Sequence, residues 1–550
     1  MPTVSFDKKR VIQALGDISD AELADRIAMI GTDLEDISAD TITVEIFPNR
    51  PDMLSEEGFI HTIKNFIGKG DGYKDINKEA SDYELHVDPV MANVRPYTVA
   101  AVVREISLDD ESLRSLIQLQ EKLDITYCRK RKKAAIGIYP LEKISWPIRF
   151  TAAKPEEITF TPLGAETMDA RRLLEEHPTG RQYAHLLEGL PLYPYFVDEK
   201  GSVLSVPPII NSEETGRVSA GAQDLFIEVS GFHKETLERV LAIILFTLQE
   251  AGGTVYEVTI TYPDSREQTP NMTPRHIEVS EKYVKKLLDL TLTSEQYARL
   301  LARMGHTLEN GKVRIASYRT DIHHPIDIIE DIAIAYGYEN FTAKIPQIAT
   351  LAEENPQEVF KRRIIDILIG LGFQETATYH LIGHATQKDI AHADGIVAIT
   401  NPMNLGYDSL RTNMIVSLLG VLSSNRHTEL PRKIFEIGRV FRDGAVSETG
   451  VAEHDELGVL LEGLEMTFTE AKQITETIIK RYGLRVEYRN PDNSEPLFFS
   501  GRCAQIIVNA ESIGIVGEIS PDALHSSAVF NPVAGLAINI DRLFTHIKSV

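Results

Sequence analysis

The sequence predicts an α+β protein of several domains, and three observations carry that prediction. At 550 residues the chain exceeds a single hydrophobic core and has room for roughly three to five domains. Segments of 3.6-residue and two-residue apolar periodicity alternate in blocks along it. Polar, glycine- or proline-rich stretches separate those blocks. The predicted domains are residues 1–88, 89–268, 269–346 and 347–550.

In the first block, Phe6–Leu15 and Asp20–Ile30 have helical spacing and Thr41–Phe47 alternates as a strand. The rigid turn Phe47-Pro-Asn-Arg-Pro-Asp52 leads into a helix ending near Ile67, with Asp52 and Ser55 both offering a capping oxygen. Gly68 to Ser81 is polar and reads as an exposed linker. The second block alternates: strand Val99–Val103, helix Glu111–Lys122, strand Ala134–Ile138, Ile209-Ile-Asn211, strand Leu225–Val229, helix Lys234–Ala251 and strand Val255–Tyr262. The third is a βααβ-type unit: strand Arg275–Val279, helices Glu281–Leu288 and Ser294–Met304 (the second capped by Thr293), then an acidic helix. The last holds helix Val359–Ile369 and strands Lys433–Phe441, Cys503–Val508 and Gly514–Glu518.

An apolar fraction of 43% with 25% charged residues suits a folded soluble chain, and no apolar run approaches the roughly 20 residues of a membrane span. Two cysteines, Cys128 and Cys503, cannot build a disulfide framework or a zinc quartet. Met1–Asp7 has no basic and apolar leader, so the expected compartment is the cytoplasm. The net charge of −24 argues against a large RNA-binding surface. The one dense basic run, Arg129–Lys133, reads equally as a solvated loop.

The densest cluster of chemistry lies in Tyr318–Tyr338, where Asp321, Asp327, Glu330 and Asp331 fall within eleven residues. Pro325 suits the first position of a helix, and the i, i+3, i+4 spacing from Asp327 puts three acids on one face. Such acids either complement the helix dipole or hold a hard cation, Mg²⁺ above all. Spacing leaves both readings open.

The run Arg319-Thr-Asp-Ile-His-His-Pro-Ile-Asp-Ile-Ile-Glu-Asp-Ile-Ala-Ile-Ala-Tyr-Gly-Tyr338 resembles the B5 signature of the phenylalanine–tRNA ligase β-subunit family. The resemblance implies Mg²⁺ on Asp321, Asp327, Glu330 and Asp331 near a contact with an α subunit, and a winged-helix-like module around them. Ile334 stands where many members carry arginine. In the last block Asn401-Pro-Met403, Asp408–Thr412, Phe435–Phe441, Phe498–Ala504 and Gly514–Pro521 follow the same family in order, with Phe or Ser replacing a usual histidine before Gly501-Arg502. This implies a class II synthetase-like antiparallel sheet domain. It lacks a late glycine-rich segment ending in an essential arginine, so it reads as a non-catalytic scaffold. Two other motifs fail on context: Gly370-Leu-Gly372 ends a helix instead of opening one, and His380–His384 has neither the spacing nor the surroundings of a nucleotide loop.

The second block resembles the archaeal and eukaryotic cytosolic type of editing domain, a mixed α/β fold, through Gln120-Glu121, the Arg131 run, Pro207–Ser212 and Asp224–Gly231. The implied reaction is hydrolysis of tyrosine wrongly joined to tRNA(Phe). A pocket shaped for phenylalanine discriminates poorly against an added hydroxyl, whereas a site that hydrogen-bonds the hydroxyl discriminates well. The expected pocket has ionised Glu228 receiving the phenol, and Ser205, Asn211 and Ser230 lining it or placing water. Gln120 and Glu121 would hold the amino group, and Arg131 and Arg217 would meet phosphates. The family has Asp and Thr where this chain has Glu228 and Ser230. With no nucleophile–base pair evident, oriented water and substrate assistance are expected.

The leading reading is therefore a cytoplasmic β subunit that, in an α₂β₂ complex binding ATP mainly through α, charges tRNA(Phe) and itself edits. The alternatives are a free-standing trans-editing hydrolase and a structural subunit with an inactive editing site.

Overall fold

The structure is a computed structural model that describes residues 2–444, 447–491 and 495–548. The chain forms two compact units, 1–345 and 346–550. Within the first, the three blocks keep separate sheets but share one hydrophobic cluster running from Val4 to Ala335. The long helix Lys234–Glu250 ties them together. Its Phe246 stacks on Tyr318 of the third block, with ring centroids 3.7 Å apart, and meets His61 of the first edge-on at 5.0 Å. Its Thr247 hydroxyl donates to Ser55 Oγ at 2.8 Å.

Several local expectations shift. Helix spacing at Phe6 gives way to a strand, Thr3–Asp7, because Val4 and Phe6 alternate into the core opposite Val44 and Ile42. Asp7 then caps the helix Lys8–Leu15. Ser55 rather than Asp52 caps Glu56–Phe66; the Asp52 carboxylate is committed to Arg50 at 2.7 Å. The expected linker ends early, and Lys78–Val87 is a strand that belongs to the second block, so the expected boundary at 88 divides a sheet. Its exposed Lys78, Glu79 and Asp82 hid it; only Leu85 and Val87 are buried.

That sheet has ten strands. From one edge they run Ala134–Pro140, Leu225–Gly231, Tyr97–Arg104, Thr254–Thr261, Lys78–Val87, Ile148–Ala153, Tyr193–Val197, Val203–Val206 and Ile210–Asn211, with Arg266–Thr269 added beside Thr254–Thr261. Only the two pairings made by Lys78–Val87 are parallel. On Leu225–Gly231 the period of two sends Leu225, Ile227 and Val229 into the cluster around the long helix, leaving Phe226, Glu228 and Ser230 on the opposite face.

The third block has three strands, Arg275–Ile277, Lys312–Ile315 and Thr307–Glu309, where sequence spacing predicted two, with helices Glu281–Leu288, Ser294–Arg303 and Pro325–Tyr336. Thr293 and Gln296 form a capping box at the second helix. The second unit is built on a seven-stranded sheet, antiparallel except where Gln374–Glu375 joins Arg432–Asp443. Helices Pro356–Gly370, Phe468–Lys480 and Ile540–Lys548 cover one face and Met414–Ser424 the other. Gly372, at φ +78°, takes the left-handed position just past Pro356–Gly370.

Candidate active site

A cavity of about 440 Å³ opens at the edge of the ten-stranded sheet. The helix Asp110–Ile125, the edge strand Ala134–Pro140 and the segment Pro207–Val218 form its walls. Gln120, Arg131, Ser205, Asn211, Arg217 and Glu228 all line it, so six residues scattered over more than 100 positions of sequence converge. Glu121 and Ser230 do not. Glu121 lies on the exposed face of its helix, because it is one residue, or 100°, from Gln120. Ser230 sits deeper in the sheet, where its Oγ accepts from Arg95 Nε at 3.1 Å.

Glu228 is only 1% exposed. It pairs in register with Gly137, and any side chain there would collide with Glu228 Oε1 and the Tyr139 hydroxyl, so this approach requires glycine. Tyr139 Oη lies 2.7 Å from Ser205 Oγ and 3.1 Å from Glu228 Oε1. Having a single proton, the phenol can accept from Ser205 while donating to Glu228. Glu228 Oε2 has no partner. Burial pushes its carboxyl up to about 8, against the lowering pull of Tyr139 and Arg95. The ionised Glu228 expected from sequence is thus replaced by a group mostly neutral at pH 7, because desolvation outweighs its hydrogen bonds.

The expected phosphate contacts change as well. Arg131 is spent within the protein: Nε donates to Asp124 at 3.0 Å and one terminal nitrogen donates to the carbonyls of Pro208 and Ile209 at 3.2 and 2.7 Å. Its guanidinium also lies 4.4 Å from the centre of the Tyr183 ring. The basic run makes this possible by turning sharply, with Arg129, Lys130 and Arg131 all left-handed (φ 51°, 53° and 63°). Three such non-glycine residues cost about 1 kcal/mol or more each, strain of a kind that gathers at functional sites. Arg217 stays exposed on the rim, ion-paired with Glu213. Gln120 Nε2 donates to Ile136 O at 3.0 Å.

Sequence reasoning missed Asp124, Tyr139 and His177. Tyr139 shares a sheet face with Gly137 on a strand whose edge position was not legible. His177 is no general base: Nδ1 accepts from the Thr179 N–H at 3.2 Å and Nε2 faces Leu163 O at 3.3 Å. Cys128 is buried and burial raises its thiol, so it supplies no thiolate. No nucleophile–base pair stands among these lining residues.

The acidic cluster is organised differently from its spacing. Arg319, 2% exposed, holds Asp321 through two hydrogen bonds (2.9 and 2.8 Å) and Asp331 at 2.7 Å. His306 Nε2 adds a 2.7 Å contact to Asp331. Burial would raise the Asp331 carboxyl, but Arg319 and His306 hold it well below the usual carboxylate range. Asp327 accepts the backbone N–H groups of His323 and His324 at 2.7 and 2.8 Å, as a helix-start acid does, and Glu330 is exposed. The four acids expected to bind Mg²⁺ therefore do not fit a convergent ligand set in this chain, because a buried guanidinium already supplies the counter-charge. Among the described residues the carboxylates that do converge are Asp33, Glu35 and Glu45, none of them buried.

In the second unit the conspicuous cations are also engaged. Arg411, buried, pairs with Glu436 at 2.8 Å, and Arg439 pairs with Glu453 and Asp455. A cavity of about 390 Å³ there mixes Arg442 and Arg542 with Glu456 and Glu495.

Residues 277–338 match the tRNA synthetase B5 domain, and residues 342–540 match the phenylalanyl tRNA synthetase beta chain CLM domain. The phenylalanine–tRNA ligase beta subunit of Pyrococcus furiosus is 38% identical over 504 residues, covering 90% of each chain. That of Archaeoglobus fulgidus is 35% identical over 554 residues, covering 99% of each. A crystal structure of an N-terminal fragment of the Pyrococcus horikoshii phenylalanyl-tRNA synthetase beta subunit superposes with a TM-score of 0.58 at 36% identity, covering 61% of this chain and 99% of the fragment. The chain belongs to the phenylalanyl-tRNA synthetase β-subunit family and is a ligase subunit.

Proposed function

We propose that this β subunit joins an α subunit, as α₂β₂ in the cytoplasm, to charge tRNA(Phe), and that its own cavity hydrolyses tyrosine misattached to that tRNA. The observation that carries the editing reading is Glu228 Oε2, a buried oxygen without a partner on the wall of a cavity of small-molecule size. An unmade buried hydrogen bond costs about 1–3 kcal/mol, and a phenol hydroxyl placed there would recover it. Phenylalanine brings no such group, so the pocket distinguishes the two esters by the hydroxyl alone. A largely neutral carboxyl serves this purpose, since it can accept from the phenol or donate to it.

In the hydrolysis itself, water adds to the ester carbonyl carbon and the bond from that carbon to the ribose oxygen breaks. The departing ribose oxygen takes up the proton, and free tyrosine and tRNA result. The chain binds and orients the ester, and the neighbouring ribose hydroxyl assists the proton transfer. Consumption of ATP belongs to the α subunit. No step is assigned to a metal held by Asp321, Asp327, Glu330 and Asp331, since Arg319 already engages two of them.

Deacylation of Tyr-tRNA(Phe) and Phe-tRNA(Phe) by the co-expressed αβ complex tests the reading. Glu228→Ala is expected to lower the rate on the tyrosyl ester on the order of 100-fold or more while leaving aminoacylation intact. Unchanged hydrolysis would remove the site assignment. Aminoacylation by this chain alone would overturn its dependence on α.

A further inference from the structure

We propose that Asp124 is the anchor for the α-ammonium group of the aminoacyl ester, its free Oδ1 receiving the cation while Glu228 meets the phenol at the other end of the same substrate. The proposal rests on the editing reading above and extends it to a residue that neither the motifs nor the spacing singled out.

Of the buried side-chain nitrogens and oxygens without partners among the described residues, two belong to the cavity wall: Asp124 Oδ1 and Glu228 Oε2. Both are carboxyl oxygens. A tyrosyl ester carries two polar hydrogen-bond donors on its amino-acid part, the ammonium and the phenol. Two unpartnered oxygens thus stand against two polar groups, Asp124 Oδ1 as an acceptor and Glu228 Oε2 able to donate to the phenol or accept from it.

The protonation states assign which goes where. Burial raises Asp124 only to about 6, because Arg131 opposes it, so it is an anion at neutral pH. Glu228, at about 8, is mostly neutral there. A cation gains most from the anion, through a charge-assisted hydrogen bond, and the uncharged phenol matches the uncharged acid.

Position supports the same assignment. Asp124 follows Gln120 by four residues on the helix Asp110–Ile125, so both side chains share one face. Glu121, expected from sequence to take the amino group, points away from the cavity. Asp124 is 3% exposed, and Arg131 grips its Oδ2, which fixes the carboxylate plane and leaves Oδ1 unpaired. The strained left-handed turn at 129–131 brings Arg131 back to this spot.

The test uses the αβ complex and two esters of tRNA(Phe): tyrosyl, and 3-(4-hydroxyphenyl)propionyl, which lacks only the amino group. Asp124→Asn should lower kcat/KM on the tyrosyl ester by about 30–100-fold, the cost of removing a buried charged partner, and leave the desamino ester within about threefold. Equal losses on both would show that Asp124 merely braces Arg131 and would overturn the proposal. Calorimetric binding of L-tyrosine methyl ester and methyl 3-(4-hydroxyphenyl)propionate decides the matter without hydrolysis. A wild-type preference for the amino ester that disappears in Asp124→Asn supports the anchor even if no ester of tRNA is cleaved, in which case only the editing reading fails. Equal wild-type affinity for both ligands, or loss of both in the variant, overturns it.

Discussion

A carboxyl kept neutral by burial should make the first unit less stable as pH rises, and Glu228→Gln should abolish that dependence. In the folded state Glu228 sits at about 8, against an ordinary value of 4.5. Between those values the folded chain keeps a proton that the unfolded chain has released. Stability from this group is therefore present at low pH and is lost as pH rises from about 4.5, levelling off above about 8. The full shift corresponds to roughly 5 kcal/mol at about 1.4 kcal/mol per pH unit. About 4 kcal/mol of it falls between pH 5 and pH 9, on the same linkage arithmetic. Glutamine has the same shape and no proton to lose, so the difference between variant and wild type should grow by that amount across the range. Urea unfolding followed by fluorescence reads the relevant unit, because the chain's single tryptophan, Trp146, packs against Tyr83 and against Phe226, two residues before Glu228. Parallel stability curves for the two proteins from pH 5 to pH 9 would refute the reasoning, since they would mean that Glu228 ionises normally in its cavity.

Three other outcomes follow from the same structure. Arg319→Met leaves Asp321 and Asp331 buried without their counter-charge, and should cost about 3–5 kcal/mol in the Trp146-monitored transition. Because the guanidinium does this neutralising, EDTA should not shift that transition in the wild-type chain; a clear drop in midpoint would show a bound divalent ion instead. Glu121→Ala should change deacylation kcat/KM by less than about twofold, as exposed residues away from special features usually do.

How much of this was legible in the sequence depends on whether a residue's role is local. Pro325 at a helix start and the caps Ser55 and Thr293 follow from short-range rules, and the structure has them. Glu228 was reached through the resemblance of Asp224–Gly231 to the family's editing domain, and not from local spacing. Asp124 was not, because Glu121, Lys122 and Asp124 look like an ordinary charged helix end until the facing strand and the Arg131 turn bury one of them. Arg131 misled for a related reason. Composition marks a basic run as solvated or phosphate-binding, and only the left-handed turn shows its central residue folded inward. The strand Lys78–Val87 was hidden because a parallel pairing supplies its partners from residues 148–150 and 255–261, far away in sequence.

The two arginines that motif reading attached to ligands, Arg131 and Arg319, share one physical task, which is to compensate buried carboxylates. Their neighbourhoods differ in how completely the carboxylates are compensated. Around Arg319 compensation is nearly complete: Asp321 gives both oxygens to the guanidinium, and Asp331 Oδ2 is shared between Arg319 and His306. Neither acid leaves a buried oxygen unpaired among the described residues. Around Arg131 compensation stops halfway, with Asp124 Oδ2 paired and Oδ1 bare, and with Glu228 Oε2 bare across the same cavity. Two bare buried oxygens cost about 2–6 kcal/mol together, a large share of a domain's net stability. Glu462 Oε2 in the second unit is bare as well. Among the described residues, however, Asp124 and Glu228 leave bare oxygens on residues that line one cavity beside a strained turn, and the proposed recognition rests on that arrangement. On this reading the acids densest in sequence carry structure, and the proposed recognition falls to Asp124 and Glu228.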